Sequence, residues 1–132
     1  RGTPNTMNDE QPYLDLMGEV INFFRERLDI AAQARIDKQK LILDPGLGFG
    51  KGPAHNLEIL QRLRELGDFG KPLLIGPSRK LFLEELRPKH FKSRLGDTIA
   101  AAVVGVLNGA NIVRLHELGE VRDAIRVADA LT

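Results

Sequence analysis

The chain has 132 residues, and its 19 basic and 18 acidic side chains leave a formal net charge of +1 at pH 7. This balance argues against nucleic acid or an anionic membrane as a partner, and no apolar run approaches the roughly 20 residues that span a bilayer. The absence of cysteine excludes disulfides, thiolate metal sites and cysteine nucleophiles. It also fits a reducing cytoplasm, where we expect the protein to be.

The first predicted elements are a polar loop over residues 1–12 and a helix from Pro12 to about Ala34. The helix is predicted because apolar residues recur at three- and four-residue spacing. These residues are Leu14, Met17, Ile21, Phe24, Leu28 and Ala31. The chain begins at Arg1 with residues typical of the middle of a loop, so we expect a fragment of a larger domain.

The segment LILDPGLGFGK, residues 41–51, is the most informative stretch. Its apolar run Leu41–Leu43 predicts a buried strand, as in a parallel sheet. The strand leads to Asp44 and then to a loop with three glycines, which permit φ > 0 and close approach of the backbone to a ligand. Asp44 is therefore a candidate ligand contact. An ordinary strand-to-helix turn, in which the Asp caps the helix, is the alternative.

The rest of the chain predicts further alternation of helices and strands. Asn56 is predicted to cap a helix that carries Leu57, Leu60, Leu63 and Leu66 and ends near Gly67. A second strand, Leu73–Ile75, breaks at Gly76-Pro77. The remaining predicted elements are a helix over 78–86, a polar loop over 88–94, a helix over 98–107, a strand over 111–115 and a helix over 121–131.

This order predicts right-handed βαβ units on a parallel sheet. A doubly wound sheet and a (β/α)8 barrel are both compatible with it. In either architecture ligands bind at the carboxyl ends of the strands. The polar residues at the three predicted ends are therefore the candidate site, and they are Asp44, Ser78, Arg79, Lys80, Arg114 and His116.

Two of these strand ends favour particular ligands. Asp44 could accept two parallel hydrogen bonds from the N–C–N edge of a pterin or guanine ring, or from an internal arginine. Phe49 could stack on such a ring or simply pack within its loop. Arg114 and His116 lie two apart on a predicted strand and therefore on one face. Together they suit a phosphate or diphosphate.

The segment GPSRK, residues 76–80, forms the third end. Gly76 permits close approach, and Ser78 could cap a helix, offer its hydroxyl to a ligand, or do both. Arg79 and Lys80 fall in the predicted first turn of that helix, where the macrodipole disfavours cations. We therefore expect an acceptor-rich partner nearby, such as a ligand carbonyl or carboxylate, with a solvated basic turn as the alternative.

Four segments, RGTPNTM, LILDPGLGFGK, PLLIGPSRK and NIVRLHE, occur in an order and spacing that resemble the C-terminal half of dihydropteroate synthase. The resemblance covers residues 1–132 as one domain. It implies an α/β fold, the C-terminal part of a (β/α)8 barrel with three parallel strands and flanking helices. It also implies that p-aminobenzoate is joined to 7,8-dihydropterin-6-ylmethyl diphosphate, releasing diphosphate and giving dihydropteroate for folate synthesis. Sulfonamide drugs imitate the aminobenzoate.

The resemblance assigns a role to each candidate residue. The catalytic residues would be Lys80, Arg114 and His116. The pterin would contact Asp44, Phe49, Gly76, Lys80 and Arg114, and the diphosphate would contact Arg114 and His116. The aminobenzoate would contact Phe49, Ser78, Arg79 and Lys80, with Ser78 meeting its carboxylate.

The resemblance also carries expectations about cofactors and assembly. Mg²⁺ would be held by the N-terminal half of the barrel and by no residue of this chain, and the complete barrel would form a homodimer. Two positions depart from the family pattern, the helical run over 81–85 and Glu117 after His116, and neither is expected to touch a predicted contact. Alone, the chain is expected to have no synthase turnover. A related pterin-binding methyltransferase domain, which has no use for the Ser-Arg-Lys segment, and a non-catalytic half-barrel are the alternatives.

Overall fold

The computed structural model describes residues 13–86 and 93–131, so the predicted loop over 1–12 and most of that over 88–94 lie outside it. In chain order the described elements are α1 (Leu16–Gln33), a 3₁₀ turn (Lys38–Lys40), α2 (Pro53–Gln61), a 3₁₀ helix (Leu63–Phe69), β1 (Leu74–Ile75), α3 (Leu81–Glu84), α4 (Leu95–Leu107), β2 (Ile112–Val113) and α5 (Gly119–Asp129). None of the described helices combines the length and the apolarity needed to cross a membrane.

Helix α1 confirms the predicted apolar spacing. Asp15 caps it by accepting a hydrogen bond from Gly18 N at 3.0 Å. The predicted face is buried at Met17, Phe24 and Ala31. Leu14 is 97% exposed because it precedes the cap and so never joins that face.

Three chain segments run side by side and parallel, as predicted. Strands β1 and β2 pair in the register Leu74↔Ile112 and Ile75↔Val113, and Leu43 forms a parallel bridge with Leu73 on the other side of β1. Two backbone bonds close this bridge, Leu43 N to Pro72 O at 2.9 Å and Leu74 N to Leu43 O at 2.8 Å. The carboxyl ends of all three segments therefore meet at one edge.

The predicted strand lengths are wrong at both outer segments. The strand predicted over 111–115 has two residues, and the one predicted over 41–43 is reduced to the single bridging residue Leu43. Each outer segment has a neighbour on one side only within the described chain, so few ladder bonds form. Ile42 is accordingly 52% exposed, although its apolar run predicted burial on both faces.

The core lies between these segments and the helices that cover them. Leu43, Leu73 and Ile75 pack there with Leu47 and with the buried leucines and isoleucine of residues 59–66. Helix α4 approaches β1 most closely at Gly105, where an added Cβ would collide with the Ile75 side chain. The missing side chain at Gly105 leaves room for the end of the Ile75 side chain against α4. The packing fixes the strand ends relative to one another.

Candidate functional site

Asp44 lies immediately after the bridging residue Leu43, and its side chain is held in two directions. Its Oδ1 accepts a hydrogen bond from Gly46 N at 2.8 Å, and its Oδ2 lies 3.6 Å from Arg114 Nη2. At this second distance the two groups form an ion pair but not a hydrogen bond. Asp44 therefore keeps acceptor capacity on the side of Arg114.

The loop after Asp44 turns through its three glycines. Gly46, Gly48 and Gly50 have φ of 70°, 77° and 59°, values that L side chains rarely adopt. Lys51 closes the turn, because its Nζ donates to Gly46 O and to Phe49 O, each at 3.1 Å. Burial lowers the pKa of Lys51, and the nearby Asp44 carboxylate partly opposes this effect. No role of Lys51 was predicted from the sequence.

Asn56 is a second residue whose role was missed, and its predicted capping role is wrong. Helix α2 begins at Pro53, with Gly52 at the capping position, so Asn56 lies inside the first turn and is fully buried. Its Oδ1 accepts from Gly48 N at 2.7 Å, and its Nδ2 donates to Lys51 O at 3.0 Å and to Gly52 O at 2.8 Å. Asn56 in α2 therefore fixes the glycine loop through these three hydrogen bonds. Proline favours the first helical position, so Pro53 was the signal that could have placed the helix start.

Ser78 does not cap a helix, contrary to one of its predicted roles. Helix α3 begins at Leu81, with Lys80 at its capping position and no side-chain cap bond. Ser78 is 4% exposed, and its hydroxyl instead meets His116, at 3.2 Å from the backbone N and 2.9 Å from ring Nδ1. The second and third strand ends are thereby joined through these two predicted site residues.

Arg79 has an internal acceptor-rich partner, Glu117. The guanidinium Nε donates to Glu117 Oε1 at 2.6 Å, and Nη2 contacts the same oxygen. The hydrogen bonds raise the pKa of Arg79 and lower the pKa of Glu117. The expectation that Glu117 touches no predicted contact is therefore wrong. Arg79 has a φ of 56° and precedes α3 rather than lying in its first turn, and its backbone N lies 3.4 Å from Thr98 Oγ1.

Lys80 crosses from the second strand end to the glycine loop. Its Nζ lies 4.1 Å from the centre of the Phe49 ring, a cation–π contact. Its stem packs so tightly on Gly48 that an added Cβ there would lie 2.8 Å from Lys80 Cδ. Burial lowers the pKa of Lys80, the positive charge of Arg114 lowers it further, and Asp44 opposes both effects.

Arg114 occupies the centre of the arrangement. Its backbone N donates to Ile75 O at 2.9 Å, which fixes its register beside β1. Its guanidinium lies over Gly76, where an added Cβ would come within 2.8 Å of Nη2. The structure thus brings together five of the predicted site residues, Asp44, Phe49, Gly76, Lys80 and Arg114. Ser78 and His116 contact each other and are connected to this group along the chain. Arg79 points toward Glu117.

Two cavities differ in their relation to these residues. One of ≈ 510 Å³ opens between α1 and the glycine loop and is lined by Asp44, Gly46, Phe49 and Lys51 among others. A larger one of ≈ 610 Å³ lies between α2, α3 and α4, and none of the predicted site residues lines it. Ligand sites combine apolar walls with a few convergent polar groups. The smaller cavity includes two of the predicted site residues, Asp44 and Phe49, whereas Lys80, Arg114 and His116 do not line it.

The chemistry available here is recognition of a flat polar ring and of an anion. One carboxylate faces an arginine and a lysine, and a histidine lies at the neighbouring strand end. Among the described residues, no group of three or more His, Cys, Asp or Glu side chains could hold a metal ion.

Comparison with known proteins gives consistent matches. A family model described as pterin binding enzyme matches residues 1–116. Dihydropteroate synthase of Escherichia coli (strain K12) is 42% identical over 130 residues, which cover 98% of this chain and 46% of that protein. Dihydropteroate synthase of Synechocystis sp. is 41% identical over 135 residues, covering 99% of this chain and 46% of that protein.

Solved structures match equally well. Dihydropteroate synthase from Stenotrophomonas maltophilia, with imidazole bound in its active site, gives a TM-score of 0.93 at 37% identity and covers 99% of this chain and 50% of that chain. The Yersinia pestis enzyme in a sulfonamide drug complex gives a TM-score of 0.89 at 36% identity, covering 99% and 48%.

These matches decide between the two architectures left open by the sequence. Dihydropteroate synthases are (β/α)8 barrels, so the chain has the fold of part of such a barrel, as predicted. It spans about half the length of the curated relatives and solved structures that it matches. On the family match over residues 1–116, the chain belongs to the pterin-binding enzyme family.

Proposed function

We propose that this chain supplies the C-terminal part of the substrate site of a dihydropteroate synthase, which joins p-aminobenzoate to 7,8-dihydropterin-6-ylmethyl diphosphate in folate synthesis. One observation carries the proposal. The Asp44 carboxylate, the Arg114 guanidinium and the Lys80 ammonium come from three different strand ends and meet at one place, with Asp44 Oδ2 3.6 Å from Arg114 Nη2. The 42% identity to the E. coli synthase supports the same activity.

In this proposal Asp44 binds the pyrimidine edge of the pterin. The bond from Gly46 N fixes the carboxylate plane, and a carboxylate can accept two parallel hydrogen bonds from an N–C–N edge. Arg114 lies over Gly76, where its planar group can stack beside a flat ring. Lys80, held against Phe49, can donate a hydrogen bond to the pterin ring. These three groups orient the pterin before reaction.

The chemistry that follows is substitution at the pterin methylene carbon. The bond between this carbon and the diphosphate oxygen breaks, and its electron pair leaves with the diphosphate. The arylamine nitrogen of p-aminobenzoate then forms the new carbon–nitrogen bond and releases a proton. Arg114 and His116 offset the charge of the leaving group. The aminobenzoate is bordered by Phe49, Gly76, Ser78, Arg79 and Lys80. No side chain acts as a covalent nucleophile, so catalysis rests on position and charge.

Cofactor, assembly and location are proposed on the family resemblance. Mg²⁺ would accompany the diphosphate, but the described residues contain no cluster of potential ligands that fits it. No step is therefore assigned to the metal. We also propose that the complete barrel forms a homodimer and works in the cytoplasm.

Calorimetry tests the proposal directly. Pterin diphosphate and then p-aminobenzoate are titrated into the chain, alone and together with the part of the E. coli relative that the chain does not match. We expect ordered binding in the combined sample, competition between a sulfonamide and p-aminobenzoate, and no dihydropteroate from the chain alone. Binding of methyltetrahydrofolate without p-aminobenzoate would favour the methyltransferase alternative, and binding of neither substrate would favour a non-catalytic half-barrel.

A matched pair of variants tests the central residue. Asp44 and Asp37 both accept a hydrogen bond from the backbone N two residues later, at 2.8 Å and 2.9 Å. Asp44→Asn replaces one acceptor of the pterin edge with a donor, so we expect pterin affinity to fall about 100-fold, or about 3 kcal/mol. Asp37→Asn keeps the same turn chemistry away from the site and should leave affinity unchanged. Equal affinities in the two variants would refute the assigned role of Asp44.

A further inference from the structure

The Ser78 hydroxyl has an unusually restricted set of partners. It is 4% exposed, and among the described residues its Oγ is bonded only to His116, through the backbone N at 3.2 Å and through ring Nδ1 at 2.9 Å. A hydroxyl carries one donor and two acceptor lone pairs. The backbone N–H of His116 can only donate, so it occupies one lone pair of the Ser78 oxygen. The hydroxyl proton of Ser78 then needs an acceptor.

The hydroxyl proton has one available acceptor, the Nδ1 atom of His116. Buried hydroxyl groups are almost always hydrogen-bonded. If Nδ1 carried a proton and donated it to Ser78, the hydroxyl proton would have no acceptor among the described residues. All the hydrogen-bonding groups of this contact have partners only if Ser78 donates its proton to an unprotonated Nδ1 of His116.

From this geometry we infer that Ser78 is a positioning residue that selects the Nε2–H tautomer of His116. In a neutral imidazole one nitrogen donates and the other accepts, and the bond made by one fixes the state of the other. His116 is exposed, and its Nε2 has no hydrogen-bond partner among the described residues. The ring therefore offers an N–H donor at Nε2 without having to carry a positive charge.

The sheet enforces this contact. Arg114 N donates to Ile75 O at 2.9 Å, which sets the register of the third strand end against the second. Pro77, next to Ser78, is also fully buried and stiffens the turn. The parallel pairing therefore places the segments that carry Ser78 and His116 next to each other.

The inference deepens the proposed function, on which its consequence for ligands rests. An N–H donor at Nε2 suits a diphosphate oxygen. Ser78 would thus set the donor for the diphosphate. With its one proton directed to Nδ1, it could not at the same time donate to the aminobenzoate carboxylate, the contact that the family resemblance implies.

Nitrogen NMR of the imidazole rings tests the tautomer in the full ¹⁵N-labelled chain. At alkaline pH, where imidazole is neutral, protonated and bare ring nitrogens have well-separated shifts. The chain has three histidines, and His116→Gln identifies the signals of His116. We expect Nε2 to be protonated and Nδ1 bare in the unaltered chain, and an Nδ1–H signature there would overturn the inference without any need for a variant at Ser78.

Variants separate positioning from mere packing. Ser78→Ala should convert His116 to a mixture of tautomers, and Ser78→Thr, which keeps the hydroxyl, should restore the Nε2–H form. His55, whose ring packs edge-on against Tyr13 at 5.0 Å, should not respond to either change. An unchanged His116 in Ser78→Ala would also overturn the inference.

Binding of inorganic pyrophosphate tests the functional consequence. Ser78→Ala should weaken it about tenfold, while Ser78→Thr should stay within about twofold of the unaltered chain. If the tautomer is as inferred and pyrophosphate binds neither the unaltered chain nor Ser78→Ala, each combined with the part of the E. coli relative that the chain does not match, the proposed function fails while the role of Ser78 in orienting His116 is supported.

Discussion

The glycine loop over residues 44–52 and the basic loop over residues 76–80 end neighbouring strands but are stabilised in different ways. In the glycine loop, the side-chain bonds from Asp44, Lys51 and Asn56 join residues two to eight positions apart. In the basic loop, the bonds of Ser78 and Arg79 reach residues 19 to 38 positions away. The first loop is therefore held mainly by local bonds, with one long-range bond from the Tyr13 hydroxyl to Gly50 O at 3.1 Å, whereas the second depends on the assembled sheet.

This difference assigns different tasks to the two loops. A locally built loop can present Asp44 and Phe49 in a fixed geometry even when distant parts of the chain shift. A loop held by His116, Glu117 and Thr98 responds to whatever those residues contact. We therefore expect substitution of the residues that hold the glycine loop to lower the free energy of unfolding. Substitution of the residues that hold the basic loop should mainly change ligand binding at the site.

Breaking the glycine loop at Asn56 should give the largest effect. Asn56→Ala leaves Gly48 N–H and Lys51 C=O without their partner at part-buried positions and empties the buried space of the Asn56 side chain, although Gly52 O keeps its bond from Asn56 N at 3.1 Å. Unsatisfied buried groups cost about 1–3 kcal/mol each. We expect the free energy of unfolding in urea to fall by about 3 kcal/mol.

An exposed asparagine provides the control for this variant. Asn22 on α1 accepts a hydrogen bond from Arg25 at the protein surface. Asn22→Ala should change the free energy of unfolding by less than about 0.5 kcal/mol. A similarly small effect at Asn56 would mean that the loop does not depend on this side chain.

Gly48→Ala should have the second largest effect and tests how the two loops meet. The residue has a φ of 77°, and the new Cβ would lie 2.8 Å from Lys80 Cδ. The left-handed conformation costs an L residue about 1–2 kcal/mol, which urea unfolding should detect. Adding Lys80→Ala removes the collision but not the backbone strain, so most of the loss should persist.

Gly67→Ala is the matched control for Gly48. Nothing lies within 4 Å of a Cβ added at Gly67, which is in the 3₁₀ helix. We expect unfolding free energy there to change by less than about 0.5 kcal/mol or to rise slightly. Equal losses at both glycines would show that the positive φ at Gly48 is not the cause.

The smallest effect is expected at Glu117, and it should depend on pH. The hydrogen bond from Arg79 lowers the pKa of Glu117 below its ordinary value of 4.5. A carboxyl whose pKa is depressed by folding stabilises the protein above its unfolded-state pKa and loses that contribution as the pH falls through the lower, folded-state value. The urea midpoint of the unaltered chain should therefore exceed that of Glu117→Gln near neutral pH, and the gap should close in acid.

Glu26, an exposed residue of α1, serves as the control for that pH series. Glu26→Gln should leave the urea midpoint near neutral pH almost unchanged, because an exposed surface charge contributes little to stability. A gap at Glu117 that stays constant over this range would mean that the ion pair with Arg79 does not titrate with folding.

The amino-acid sequence was sufficient for the order of elements, the parallel sheet and the convergence of three strand ends. These follow from local patterns: the apolar runs ending at Leu43 and Ile75, the helical spacing of α1, and the polar residues placed just after each run. Asp44, Lys80 and Arg114 could be named as neighbours because parallel strands end at the same edge. The four ordered motifs then pointed to the pterin-binding family.

Tertiary structure alone decided how those residues are partnered. A helix cap and a ligand contact were both predicted as possible roles of Ser78; it does not cap α3 and bonds His116 instead. Glu117 was expected to touch no predicted site residue but holds Arg79. Asn56 was placed at a helix end but lies buried beneath the glycine loop. Capping and turn preferences are short-range and can be estimated from neighbouring residues. Side-chain partners 19 to 38 positions apart depend on strand register and helix packing, which are fixed only when the whole core is assembled.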